Sequence, residues 1–128
     1  MELVDFLRAR LDDDEQAARR AGDSFRQIGE TGVIVATEGD RAEECASANW
    51  GGIAEHIVRH DPARVLAEVD AKREILRLHD DSTTALMVAS GTVLAGGVKI
   101  RRRAYEDVLK LLALPYAGHE AYREDWRP

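Results

Sequence analysis

The chain has 128 residues, 45% of them apolar and 33% charged, with a formal net charge of −6. A chain of that size and balance folds as a single domain and buries roughly two thirds of its surface, so it needs no covalent staples. The acidic excess repels phosphate backbones at long range and argues against nucleic acid as the default partner.

Cys45 is the only cysteine, which excludes an internal disulfide and points to a reducing compartment. Met1-Glu2-Leu3-Val4-Asp5 carries acidic residues where a secretory leader carries basic ones, so the expected location is cytoplasmic. The least polar stretch, Ala85 to Val98, is interrupted by Ser90, Gly91, Thr92, Gly96 and Gly97 and falls short of the ~20 apolar residues of a spanning helix. No membrane is expected as a partner.

Leu3, Phe6, Leu7, Leu11 and Ala18 recur at three- and four-residue spacing and predict an amphipathic helix over residues 2–21. Asp12, Asp13, Asp14 and Glu15 sit on consecutive positions that fan around that helix, so they read as a solvated face rather than a metal cluster. The β-branched run Val33-Ile34-Val35, bounded by glycines, predicts a hairpin or small meander with strands at 25–28 and 32–37 and a turn at Glu38-Gly39-Asp40. Such a hairpin is marginal alone and must lie on helices or gain a strand from another chain.

After a polar stretch at 41–49, Ile53, Ile57 and Val58 predict a short helix over 50–60. Asp61-Pro62 is the sharpest local signal, because aspartate caps free N–H groups and proline suits the first helical position. The helix it opens is expected to run to about His79, with a break at Asp80-Asp81-Ser82 and a second segment through Ala89, stopped by Gly91. A last helix is expected from Lys99 or Ile100 to Leu114, with Tyr105, Val108, Leu109 and Leu112 inward and Pro115 at its end. Tyr122 and Trp126 predict that the tail, 115–128, docks on the body. The fold class expected is α+β, mainly helical, with three to five helices and a small antiparallel β-hairpin at about 25–37, in one domain spanning 1–128.

His56 and His60 stand four apart, a spacing that can direct two imidazoles at one metal ion; no third ligand is fixed by sequence, and His79, His119, Glu55 and Asp61 are the candidates. The competing reading leaves His56 a helix-surface residue and His60 the residue before the cap. Glutamate does not follow the first histidine as in zinc proteases; Ile57 stands there. No local catalytic signature surrounds Cys45, so no thiol nucleophile is read. Arg101, Arg102 and Arg103 form the one basic triplet and could meet phosphates or an acidic partner, while Trp50, Tyr122 and Trp126 are aromatic anchors for the core or for a partner.

Three blocks carry a resemblance. His56-Ile57-Val58-Arg59-His60-Asp61-Pro62-Ala63-Arg64-Val65-Leu66 with Glu68, Val69, Ala71, Lys72 and Arg73, the opening Leu3-Val4-Asp5-Phe6-Leu7-Arg8-Ala9-Arg10-Leu11-Asp12, and the closing Leu111-Leu112-Ala113-Leu114-Pro115-Tyr116-Ala117 with Tyr122-Arg123-Glu124-Asp125-Trp126-Arg127-Pro128 resemble an actinobacterial and actinophage family, the domain of unknown function six-two-two-one. The resemblance implies an accessory protein of actinobacteria or their mobile elements and supplies no activity. Many such relatives carry a cysteine-rich, zinc-like segment between the last two helices, whereas Ser82 to Val98 contains no cysteine.

With no convergent catalytic set and no resident cofactor expected, the residues point to a non-catalytic interaction module that associates with itself or with another protein. The alternatives are a zinc or other transition-metal protein using His56, His60 and His79, and a nucleic-acid-binding regulator using Arg101, Arg102 and Arg103.

Overall fold

The computed structural model describes residues 1–128 and shows a mainly helical α+β fold. Four helices, α1 (Leu3–Arg20), α2 (Gly51–Arg59), α3 (Pro62–Ala89) and α4 (Ala95–Ala113), accompany a three-stranded sheet of β1 (Ser24–Gln27), β2 (Val33–Glu38) and β3 (Arg41–Ser47). The chain divides into two compact units, one of Met1–Leu11 with Asp70–Pro128 and the other Asp12–Val69. No helix is long and apolar enough to cross a membrane.

The unit at 12–69 is built on an antiparallel meander in the order β1-β2-β3. β1 pairs with β2 from Ser24↔Thr37 to Gln27↔Ile34, and β2 pairs with β3 from Val33↔Ser47 to Glu38↔Arg41, with a bulge between Ile34 and Val35. The third strand departs from the two-stranded expectation. It is exposed at every residue and rich in charge, so it shows no alternation that composition could reveal; its pairing with β2 is what makes it a strand. A two-residue Gly39-Asp40 turn joins β2 to β3, with Gly39 at φ 61, the left-handed region that this hairpin position demands.

Ile34 and Val35 on β2 are buried, as are Ala18, Ala54 and Val69 in the same unit. α2 packs on β1 and β2. Gly51 and Gly32 permit close backbone approaches there, since a Cβ on Gly51 would lie 2.3 Å from the Glu30 carbonyl oxygen and one on Gly32 2.0 Å from that of Ala48. Asp61 caps α3 as expected, its Oδ1 accepting the Arg64 N–H at 3.0 Å. Its Oδ2 accepts the Phe25 N–H at 3.2 Å, so one carboxylate both opens a helix and holds the first strand.

In the other unit, α3 runs unbroken through Asp80-Asp81-Ser82, where a break was expected. The polar side chains that suggest one are absorbed along the helix. Ser82 Oγ donates to the His79 carbonyl at 2.7 Å, Thr83 Oγ1 donates to it at 3.2 Å, and Thr84 Oγ1 donates to the Asp80 carbonyl at 3.3 Å. Arg77 pairs with both Glu74 and Asp81 along the same helix. The helix ends at Ala89, and Gly91 turns the chain at φ 80.

α4 begins at Ala95, a turn before the expected start, and takes Gly96 and Gly97 into its first turn. Phe6, Leu7, Leu11, Leu76, Leu109, Ala113 and Trp126 form the apolar core of this unit.

Candidate interaction surface

The two paired histidines do meet at the end of α2. Their rings lie 4.5 Å apart, centroid to centroid, and are tilted by 40°. His60 Nδ1 lies 2.8 Å from the His56 carbonyl oxygen and donates to it, because a carbonyl only accepts. Both side chains are exposed. His79 belongs to the other unit, where it is buried with neither ring nitrogen bonded to protein. No group of three or more His, Cys, Asp or Glu side chains comes together in a way that could hold a metal ion.

The aromatic anchors separate by burial. Trp50 stands exposed just before α2. Trp126 is buried, 5.0 Å from the Phe6 ring, and Tyr122 is half-buried at 6.0 Å from Phe6 and 5.7 Å from Trp126. Those two rings pack inside their own unit.

The basic triplet also divides, because consecutive residues of a helix point in different directions. Arg102 is half-buried, donates to Thr83 Oγ1 at 3.1 Å and pairs with Glu106 at 3.1 Å. Arg101 lies 5.9 Å from the Tyr105 ring centroid. Lys99, Arg101 and Arg103 are exposed and make no ion pair.

The feature that sequence reasoning missed lies on the outer side of α4. Its inner side is formed by Val98, Arg102, Tyr105, Leu109 and Leu112, all buried or half-buried. A second series, Gly97, Ile100, Ala104, Asp107, Leu111 and Leu114, alternates spacings of three and four residues and is exposed throughout. Ile100 is 73% exposed and Leu111 56%. Just before the helix Val93 and Leu94 are exposed, and so are Met87 and Val88 at the end of α3.

A folded monomer seldom leaves so many large apolar side chains in water on one helical hairpin, because each forfeits burial worth about 1.5–3 kcal/mol. The signal was present in the sequence as two apolar series, on opposite sides of α4. Periodicity shows that both exist but not which of them the chain itself covers.

No curated protein and no solved structure matches the chain. The match that does emerge agrees with the three sequence blocks: the model of the Family of unknown function (DUF6221) covers residues 1–128, and the chain belongs to that family.

Proposed function

We propose that the chain is a non-catalytic protein–protein interaction module that associates with itself, an accessory protein of an actinobacterium or its phage. The observation that carries this reading is the exposed apolar series on α4 with its extension through Val93, Leu94, Met87 and Val88. Burying such a surface against protein recovers the hydrophobic free energy that the monomer leaves unused. The exposed, unpaired thiol of Cys45 suits a reducing, cytoplasmic setting. The origin is proposed on the resemblance of the three sequence blocks alone.

Sedimentation equilibrium of the untagged chain over a wide concentration range tests the reading. The expected result is a mass that rises with concentration from one chain to two or more. A mass of one chain throughout, with no protein retained on the immobilised chain, overturns it.

A further inference from the structure

The outer series of α4 has the order of a coiled-coil seam. Gly97, Ala104 and Leu111 fall at one heptad core position, and Ile100, Asp107 and Leu114 at the other. From Gly97 to Leu114 the seam is about 25 Å long at the α-helical rise. Its partner must satisfy two features of the seam.

The first feature is charge. A parallel second copy sets Asp107 against Asp107 and brings the unpaired Lys99, Arg101 and Arg103 of both chains to the same end, so like charges meet at both places. An antiparallel copy sets Ala104 against Asp107 of the second copy and places Arg103 of each chain one residue along the axis from Asp107 of the other. Neither Arg103 nor Asp107 has an ion-pair partner within its own chain. The two charges are therefore available to one another, and two-fold symmetry supplies the contact twice.

The second feature is volume. The antiparallel register sets Ile100 across from Leu111 of the second copy and Gly97 across from Leu114. Large residues thus meet one another in the outer layers, or face the space above a glycine. Nothing within the chain lies within 4 Å of the Cβ position of Gly97. A glycine there costs helix stability relative to alanine and lets a facing side chain approach the backbone.

We infer that the chain forms a two-fold symmetric dimer through an antiparallel α4–α4 seam, with Ile100 packed on Leu111 and Arg103 paired with Asp107 across the interface. This inference rests on the self-association proposed above and names the surface and geometry that perform it.

Disulfide trapping in a Cys45→Ser background tests the geometry on the full chain. Ile100→Cys and Leu111→Cys are made as separate single variants and oxidised alone and after mixing. In an antiparallel seam the two Ile100 positions lie about 16 Å apart along the axis, beyond disulfide reach, whereas Ile100 and Leu111 of opposite chains are adjacent. The expected result is a covalent dimer in the mixture and none from Ile100→Cys alone.

A cross-linked Ile100→Cys homodimer means a parallel seam and overturns the inference. A wild-type dimer that yields no cross-link in the mixture also overturns it while leaving self-association intact. A wild-type chain that stays monomeric overturns both. Ile100→Glu provides a second readout, since that exposed position can change without touching the monomer core. It is expected to weaken dimerisation by more than about tenfold with an unaltered circular dichroism spectrum. Unchanged dimerisation overturns the seam.

Discussion

The indole of Trp126 lies against the ring of Phe6, with centroids 5.0 Å apart, and ties the closing segment of the chain to the first helix within one compact unit. Tyr116, His119 and Tyr122 meet the same phenyl ring edge-on at 6.4, 5.8 and 6.0 Å, and the Arg10 guanidinium lies 5.3 Å from its centroid. Phe6 is fully buried as a result. Phe6→Ala removes the centre of this cluster and is expected to cost about 3–5 kcal/mol in urea unfolding. Trp126→Ala is expected to fall in the same range and to lower the fluorescence change on unfolding, because Trp50 is already exposed. A loss below about 1 kcal/mol for either variant would show that the segment after residue 115 contributes little to the core.

Asp61 does two jobs with one carboxylate, capping α3 through the Arg64 N–H and holding the Phe25 N–H of β1. Asp61→Ala leaves both donors without that acceptor and is expected to destabilise the chain by about 1–2 kcal/mol. Asp61→Asn keeps one acceptor oxygen and should lose less. The measurement is a pair of denaturant titrations; equal losses for Ala and Asn would show that one acceptor oxygen alone preserves nothing, and an Asn variant as stable as wild type would show that the second oxygen adds nothing.

The Asp61-Pro62 start was legible because capping is chemistry confined to a few adjacent residues. The long first helix was legible because its apolar spacing has no interruption before Gly22. What escaped the sequence is what depends on partners distant along the chain. β3 is a strand by virtue of β2, and its own residues, Arg41, Glu43, Glu44 and Ser47 among them, carry no alternation. The continuity of α3 depends on Ser82, Thr83 and Thr84 bonding back to carbonyls one turn earlier, a choice that these side chains also have in turns. The histidine pair was legible from spacing, whereas the exposed seam of α4 required knowing which side of the helix the fold covers.

His79 is buried on α3 with both ring nitrogens unbonded to protein, and its Nδ1 is 3.8 Å from Asp80 Oδ1, beyond hydrogen-bond distance. Each such buried polar atom costs about 1–3 kcal/mol relative to a satisfied one. His79→Leu keeps a similar volume and removes the polar atoms, so it is expected to raise unfolding stability by about 1 kcal/mol. His79→Ala leaves a cavity and should destabilise by about 2 kcal/mol or more. Destabilisation by the leucine variant would show that the imidazole has a bonding partner that outweighs its burial. Thermal melts of wild type beside the leucine variant, with and without zinc, would reveal whether that partner is a metal.

The acid limb of stability should report two exposed carboxylates held by arginines. Arg77 Nε donates to both carboxylate oxygens of Glu74, at 3.0 and 2.9 Å, and Arg127 Nε donates to Glu124 Oε2 at 3.0 Å. The hydrogen bond from the arginine holds each carboxyl below the ordinary glutamate value of 4.5, with the neighbouring positive charge acting in the same direction. Each folded carboxyl therefore binds fewer protons than its unfolded counterpart as pH falls through this range. The contribution is complete above about pH 4.5 and is lost as pH drops through the lowered folded values. Solvent screens both pairs, so the effect should be modest and should shrink further in ~1 M salt. Urea unfolding of Glu74→Gln/Glu124→Gln beside wild type is expected to show a shallower decline between pH 5 and pH 3 at low salt, with the two curves converging in high salt. Parallel acid limbs at low salt would show that these arginine pairs contribute nothing to the pH dependence of folding.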